Sequence, residues 1–313
     1  MPLVDVALPA QGAYAVLEDL IALRFPARQL QLGVRNRALS HLAGPNKTNF
    51  RGRGIDFEEV RSYQPGDDIR TIDWRVTART GNAHTKLFRE ERERPVLIVV
   101  DQRNSMFFGS QHCFKAVLAA QLASLLAWSA LRGGDRVGGL VFSDLKHQEI
   151  KPRRNRATVL GLLSQIISYN EALPLDNTTA VDSFSGMLTN LRRITRPGSS
   201  VFLVSDFRGA TDERAAEQLF ELAKHTEITA IDCSDPLEAQ LPNAGRYAVT
   251  NGHERSELDT SDAALRHRYA QQLIQHQDVL TKNLQRLGIP LLSASTDRSP
   301  YTLLQQYYGG TRR

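Results

Sequence analysis

The stretch "RPVLIVVDQRNSMFFG", residues 94–109, sets the fold expected for this chain of 313 residues. Its five consecutive apolar residues, 96–100, are typical of a strand that is buried on both faces of a parallel sheet. The strand ends on a carboxylate, Asp101, and two polar residues follow at alternate positions, Arg103 and Ser105. In open parallel sheets, ligands bind beyond the carboxyl ends of the strands, so this run predicts a site at that edge.

The chain after residue 95 repeats this pattern of apolar run and helix. Short, mostly apolar runs alternate with helical patterns, which predicts an α/β fold with a central, mostly parallel sheet and helices on both faces. The further predicted strands are RVGGLVF (136–142), SVFLVSD (200–206), ITAIDC (228–233) and IPLLSAS (289–295). The predicted helices cover 114–134, 156–170, 183–194, 212–226 and, after a hairpin at 246–260 with Asn-Gly at its turn, 261–287.

The first 94 residues have a different character. A helix is expected at roughly 13–43, and the segment after it is rich in glycine, β-forming residues and paired charges without helical periodicity. We therefore expect two domains: an N-terminal helix with a small β-rich element over 1–94, and an α/β domain over 95–313.

Composition excludes several classes of protein. The chain carries 39 basic and 34 acidic residues, a small excess that does not predict nucleic-acid binding. Its two cysteines are far apart and in apolar settings, which favours a reducing compartment. No segment approaches the roughly 20 apolar residues that span a bilayer, so we expect no transmembrane segment and a cytoplasmic location.

The sequence contains no recognisable enzyme motif. A phosphate-binding G-x-x-x-x-G-K-[ST] loop and a G-x-S-x-G nucleophile elbow are both missing, and the eight histidines lack metal-ligand spacing. We therefore expect that this protein is not an enzyme. The alternative is a hydrolase in which a divalent ion on Asp101 and Asp206 activates water.

The strand end itself resembles a known metal site. "DQRNSM" (101–106) is similar to the D-x-S-x-S metal-ion-dependent adhesion site of von Willebrand factor A-type domains, and this resemblance implies a Rossmann-like fold and bound Mg²⁺. Arg103 stands where the first serine belongs, and a guanidinium has five donors and no acceptor. The arginine either replaces the ion by pairing with the carboxylates, or points away from a weaker metal site; a third interpretation is that Asp101 only caps its loop. The implied ligands are Asp101, Ser105, Thr178 or Thr179, and Asp206.

A longer resemblance covers nearly the whole chain. "FRGRGIDFEEVRSYQPGDDIRTIDWRVTARTG" (50–81), followed by "KLFREERE", "ALRGGDRVGGLVFSD", "FLVSDF" and "RLGIPLL" in that order, resembles the domain-of-unknown-function 58 family of bacterial and archaeal proteins with a von Willebrand A-like domain. The resemblance implies a protein-binding, chaperone-like role. Its implied partners are a MoxR-type AAA+ ATPase and a client protein.

The signature at 50–81 has two physical interpretations. Its alternating charges and aromatics form either a structural ion-pair network or a partner surface, because arginine and aromatic residues are enriched in binding hot spots. A DNA- or membrane-surface binder is a third class, which steep salt dependence of binding would distinguish. The partner-binding residues expected are Arg51, Arg53, Tyr63, Asp67, Asp68, Trp74, Arg79 and, at the strand end, Arg103.

Overall fold

The protein folds as two compact units, which are described separately. The computed structural model describes residues 6–32, 39, 56–64, 72–89, 94–172, 184–239, 241–242, 244–250 and 255–309. The larger unit is Met1–Asn49 with Arg94–Arg313, and the smaller unit is Phe50–Glu93. This division differs from the boundary expected at residue 94, because the N-terminal segment belongs with the larger unit.

A six-stranded sheet forms the centre of the larger unit. Its strand order is β10-β7-β6-β3-β4-β5, and all neighbours are parallel except the β4–β5 pair. Two antiparallel pairs, β1–β2 and β8–β9, lie outside this sheet. The strands are β1 (Asp56–Ser62), β2 (His84–Arg89), β3 (Pro95–Asp101), β4 (Arg136–Phe142), β5 (His147–Arg153), β6 (Ser200–Ser205), β7 (Glu227–Ser234), β8 (Arg246–Thr250), β9 (Arg255–Asp259) and β10 (Leu291–Ser295).

Helices cover both faces of the sheet, as the sequence predicted. One apolar cluster contains residues of the helices at 115–132, 156–172 and 300–308, and a second contains residues of the helices at 184–194, 213–223 and 263–286. The α-helices described are Leu17–Ala22, Trp74–Thr80, Lys115–Arg132, Arg156–Ala172, Phe184–Ile194, Glu213–Ala223, Pro236–Ala239, Ala263–Arg286 and Pro300–Tyr308. The fold is therefore a Rossmann-like α/β fold, in which a mostly parallel sheet lies between two layers of helices.

The helix Lys115–Arg132, here called the central helix, organises the first cluster. Apolar residues occur all round it, and it is buried along nearly its whole length. Two of its serines are paired with the N-terminal segment: Ser124 Oγ donates to the carbonyl of Leu20 at 2.6 Å, and Ser129 Oγ donates to that of Leu30 at 3.0 Å. These bonds explain why the N-terminal segment folds with the larger unit.

Two local predictions need correction. The single helix predicted at roughly 13–43 is wrong over its described part, where a short helix (Leu17–Ala22) precedes a 3₁₀ turn (Pro26–Gln29). Pro26 has no N–H to continue an α-helical ladder, and the carbonyls of Leu20 and Leu30 accept hydrogen bonds from side chains of the central helix. Strand β5 was not predicted, because it is a polar edge strand that contains Pro152, and proline is tolerated only at such edges.

The smaller unit contains a hairpin-like pair and a short helix. Strands β1 and β2 pair antiparallel with a bulge between Phe57 and Glu59. Asp73 caps the helix Trp74–Thr80 by accepting from the backbone N–H of Arg75 at 3.0 Å. The helix ends at Gly81, whose φ of 74° is in the left-handed region that glycine adopts without strain.

Gly139→Ala is expected to destabilise the protein by about 1–3 kcal/mol. A Cβ at this position would lie 2.3 Å from the carbonyl oxygen of Ile98 on the neighbouring strand, so the β3–β4 pair would have to shift. The matched control is Gly161→Ala, which lies exposed in a helix with no atom within 4 Å and is expected to stabilise by about 0.5–1 kcal/mol. Urea unfolding measures both. Equal effects of the two changes would contradict the close strand approach.

Candidate functional site

Asp101 ends β3 at the centre of the sheet, and its side chain is fully buried. Arg103 Nε donates to its two carboxylate oxygens at 3.0 and 3.1 Å, and Nη2 donates to Oδ2 at 2.7 Å. The backbone N–H of Arg103 donates to Oδ1 at 2.9 Å, and Ser205 Oγ donates to Oδ2 at 2.6 Å. The Asp101 carboxylate therefore does both things that the sequence suggested: it caps its own loop and it pairs with the Arg103 guanidinium.

The guanidinium of Arg103 points inward. Its carbon lies 5.5 Å from the ring centre of Phe142 and 5.4 Å from that of Phe184, so aromatic rings flank the charge. Nη1 donates to the carbonyl oxygen of Arg208 at 3.0 Å. Arg103 was expected to contact a partner, but the structure buries it among groups of its own chain.

Asp206, immediately after β6, forms the second half of the site. Its Oδ1 accepts from Arg103 Nη2 at 3.3 Å, and its Oδ2 accepts from Lys115 Nζ at 3.2 Å. Lys115 is fully buried at the start of the central helix, and its Nζ also donates to Glu238 Oε1 at 2.6 Å. Arg208 Nη2 donates to the same glutamate oxygen at 3.2 Å. We call these six side chains the strand-edge network: Asp101, Arg103, Lys115, Asp206, Arg208 and Glu238.

The backbone of the β6 loop is shaped to build this network. Phe207 has a φ of 53°, which is uncommon for a residue with a side chain. Its N–H donates to Ser205 Oγ at 2.9 Å, and the N–H of Arg208 donates to Asp206 Oδ1 at 3.2 Å. The backbone strain at Phe207 turns the chain so that both Ser205 and Asp206 face the end of β3.

The pKa values follow from burial and pairing. Burial raises the pKa of Asp101 above its ordinary value, and the Arg103 guanidinium opposes that shift. Burial also acts to raise the pKa of Asp206, but Lys115 and Arg103 outweigh it and hold that pKa below the usual range. Burial acts to lower the pKa of Arg103, and the Asp101 carboxylate raises it above its ordinary value. Pairing therefore favours the charged forms of Asp206 and Arg103.

Asp232 is a further carboxylate at this edge. It lies in β7, level with Ser205 of β6, and keeps part of its surface accessible. Burial raises its pKa to about 7, with repulsion from Asp206 and Glu238 adding to the shift and Lys115 opposing it. Among the described residues its carboxylate has no hydrogen-bond or ion-pair partner.

The residues that the structure describes do not fit a magnesium ion. Magnesium needs free carboxylate and hydroxyl oxygens. Both oxygens of Asp101 and both of Asp206 already accept from nitrogen donors, and an ion placed between them would meet a guanidinium and an ammonium. Within the described ranges, no cluster of three or more His, Cys, Asp or Glu side chains could hold a metal. Thr178 and Thr179 lie outside the described residues.

Ser105 stands at the position of the second serine in the D-x-S-x-S pattern. Its hydroxyl faces Asp206 closely enough to lower the pKa of that carboxyl. Yet Ser105 Oγ is buried and makes no direct hydrogen bond to any group in the described part of the chain.

The predicted partner-binding residues of the smaller unit are only partly described. Trp74 is 69% exposed, Arg79 is exposed and Tyr63 is half-buried. Trp74 and Arg79 lie on the helix Trp74–Thr80 and are available to a partner. The other four lie outside the residues that the structure describes: Arg51, Arg53, Asp67 and Asp68.

Sequence reasoning missed four residues of this site: Lys115, Arg208, Asp232 and Glu238. Two of them carried a signal. Lys115 is the one charge before Arg132 in an apolar helix, and a buried lysine needs a carboxylate partner. Asp232 interrupts the apolar strand "ITAIDC". Arg208 lies in a loop and Glu238 in the short helix Pro236–Ala239; both are residue types common at surfaces, and their sequence context contains no comparable signal.

The comparisons with known proteins identify the class. A sequence model of the family described as "Protein of unknown function DUF58" matches residues 59–279, so the chain belongs to that family. The chain is 30% identical over 290 residues to the uncharacterized protein Rv1480 of Mycobacterium tuberculosis, covering 91% of this chain and 89% of that protein. An uncharacterized protein of Mycobacterium bovis, Mb1516, matches equally well.

Solved structures of low sequence identity are also similar. An aerotolerance-related membrane protein from Bacteroides fragilis matches with a TM-score of 0.41 and 13% identity, over 68% of this chain and 98% of that one. The von Willebrand A domain of SpRpn10 matches with a TM-score of 0.38 and 13% identity, over 71% of this chain and 100% of that one. Of the helices that the structure describes, none has both the length and the apolar character needed to cross a bilayer.

Arg103→Ser is expected to lower the free energy of unfolding by about 3–5 kcal/mol, because it leaves Asp101 buried without its cation. Excess MgCl₂ should not restore this loss, since Lys115 still occupies Asp206. The control is Lys224→Ser, which removes an exposed ion pair with Glu221 and should leave stability unchanged. Denaturant unfolding with EDTA or MgCl₂ measures both. Recovery of stability by MgCl₂ would show that the site accepts the ion.

Asp232→Asn is expected to stabilise the protein increasingly as the pH rises from about 4 to 7. The folded-state pKa of about 7 exceeds the ordinary 3.8, so the folded protein holds a proton that the unfolded chain has lost in this window. Stability from this group is present below the lower value and is lost as the pH rises. Asparagine does not titrate in this range. The free energy of unfolding of the variant should therefore exceed that of the wild type by an amount that grows to a few kcal/mol, as the size of the pKa shift sets it, and that levels off above pH 7.

Urea unfolding of the wild type and of the Asp232→Asn variant over this pH range measures the difference. Asp278→Asn, which changes an exposed aspartate on the helix Ala263–Arg286, is the matched control and should differ from wild type by a constant amount. A constant difference for Asp232→Asn as well would show that Asp232 titrates normally.

Proposed function

We propose that this protein is a non-enzymatic protein-binding module that recognises a partner through the carboxyl edge of its central sheet. The observation that carries the proposal is the strand-edge network, which neutralises buried carboxylates at that edge with cations of the chain itself. A fixed network of this kind prepares a rigid surface without a cofactor.

The surroundings of the network suit protein contact. Phe108 and Leu145 are exposed apolar residues next to it. The carbonyl of Phe108 accepts from the backbone N–H of Lys115 at 2.8 Å, and Leu145 follows Asp144, whose carboxylate accepts from the N–H of Asn104 at 2.6 Å. Apolar side chains beside fixed charges are the usual composition of a binding surface.

The resemblance to the family supplies the proposed partners. We propose a MoxR-type AAA+ ATPase as the partner and an unidentified client protein as the cargo, with this chain acting as an adaptor or co-chaperone. Trp74 and Arg79 of the smaller unit offer a second surface of the residue types that anchor interfaces. Binding without a metal and a cytoplasmic location belong to the same proposal, and the two free, buried cysteines support a reducing compartment.

The alternative is a divalent-metal-dependent hydrolase using Asp101 and Asp206. The pairing of both carboxylates with Arg103 and Lys115 weighs against it, because the oxygens that would hold the ion already accept hydrogen bonds. The structure also describes no histidine that hydrogen-bonds to the network and could act as a general base.

The test is binding of the full chain to a purified MoxR-type ATPase from the same genome, measured by calorimetry in the presence of EDTA. We expect binding that EDTA does not weaken and that the double change Phe108→Ser with Leu145→Ser weakens at least tenfold, about 1.4 kcal/mol. The control is Phe220→Ser, which removes a phenylalanine that is somewhat more exposed than Phe108 from the helix Glu213–Ala223. Loss of binding in EDTA, or Mg²⁺-dependent hydrolysis abolished by Asp206→Asn, would favour the metal-dependent alternative.

A further inference from the structure

The strand-edge network is balanced in charge without Asp232. Its carboxylates, Asp101, Asp206 and Glu238, are matched by three cations that are bonded to them. Asp232 is a further carboxylate beside the network, and none of the three cations of the network bonds to it. The neighbouring strand places it level with Ser205, next to Asp206, so it adjoins the network without belonging to it.

Asp232 is recessed and still reachable. Protein surrounds its carboxylate on nearly all sides, while part of the residue remains accessible to solvent. None of the hydrogen bonds or ion pairs of the described residues includes its side chain. A buried acidic group without a donor is costly, and a donor from outside the chain would remove that cost.

Ser105 gives an independent indication at the same edge. Its Oγ is buried, faces Asp206 and has no hydrogen-bond partner among the described residues. The Asp232 carboxylate and the Ser105 hydroxyl, both near Asp206, therefore make no direct hydrogen bond within the described part of the chain. Both a carboxylate and a hydroxyl oxygen accept hydrogen bonds from an ammonium or a guanidinium.

The network offers little to an acidic ligand. Arg103 and Lys115 are buried and bonded to carboxylates. Arg208 is 62% exposed, but its guanidinium is shared between Asp206 and Glu238. Burial is the main cause of the raised pKa of Asp232; Asp206 and Glu238 add to the shift and Lys115 opposes it, so two of the three charged neighbours repel an anion there.

We propose that Asp232 is the acceptor of a positively charged side chain, a lysine or arginine of the bound protein. This inference rests on the proposed function and names the chemistry of the partner at the same edge of the sheet. The sign is opposite to that of the acidic side chain that a bound ion would attract. Asp232 completes one ion pair with the partner.

The test uses L-argininamide as the probe, with L-citrullinamide as its neutral isostere and N-acetyl-L-glutamate as the acidic comparison. Each is titrated into the full chain at about pH 8, above the pKa of Asp232, and followed by amide resonances of residues 232–238. We expect argininamide to bind at least tenfold more tightly than citrullinamide. Asp232→Asn should abolish this preference, whereas Asp278→Asn, at an exposed aspartate elsewhere, should leave it unchanged.

Three outcomes would overturn the proposal. One is equal binding of argininamide to the wild type and to Asp232→Asn, and another is no preference over citrullinamide. The third is binding of N-acetylglutamate that Arg208→Gln abolishes, which would assign an acidic ligand to Arg208 instead. Because Asp232→Asn replaces an acid whose charge is disfavoured in the folded protein, the variant is expected to fold, and its unfolding curve checks this.

The two proposals fail in different ways. Preference for argininamide without any binding of the ATPase would leave the cation site standing and overturn the proposed partner. Binding of the ATPase that Asp232→Asn does not alter, together with no preference for argininamide, would overturn the cation site alone.

Discussion

The ion pair between Asp101 and Arg103 is the interaction on which the rest of the site depends. Two neighbouring strands end in carboxylates, Asp101 and Asp206, and such groups repel each other strongly in a buried setting unless a cation lies between them. Arg103 supplies that cation from the same loop. Its planar guanidinium contacts both carboxylates at once. A lysine at this position would lack the forked donors needed to do so.

The pair also determines where the neighbouring segments lie. Arg103 holds the backbone of the β6 loop through the carbonyl of Arg208, and Lys115 holds the first turn of the central helix against Asp206 and Glu238. The loops after three strands, and the first turn of the central helix, are thus held in place by charged side chains of the chain itself. A chelator cannot remove them, so the geometry of this edge does not depend on the supply of a metal.

The sequence predicted the sheet better than the site. Each buried parallel strand was found within about two residues of its place, because a strand covered on both faces must be continuously apolar. Strand β5 and the break at Pro26 were missed, because an edge strand and a short N-terminal helix depend on tertiary contacts more than on pattern. The prediction that Asp101 and Asp206 lie at one edge is confirmed, because the carboxyl ends of neighbouring parallel strands meet at the same edge of a sheet.

The partners of those carboxylates could not be read in the same way. Lys115 lies 91 residues from Asp206, and Glu238 lies 123 residues from Lys115, so their pairing exists only once the central helix and the end of β7 reach the same edge. The motif alone leaves open whether the Arg103 side chain faces inward. In the folded chain the inward-facing guanidinium lies near two aromatic rings, Phe142 and Phe184, from separate elements.

Replacing an ion by side chains changes what the edge presents to a partner. A bound metal concentrates positive charge at one exposed point, whereas Arg103 and Lys115 are buried and compensated by the carboxylates that hold them. The groups left to face a partner are then the ones that the network does not need: the acid at Asp232 and the apolar side chains of Phe108 and Leu145. This distribution of charge is the physical reason for proposing a basic rather than an acidic ligand at this edge.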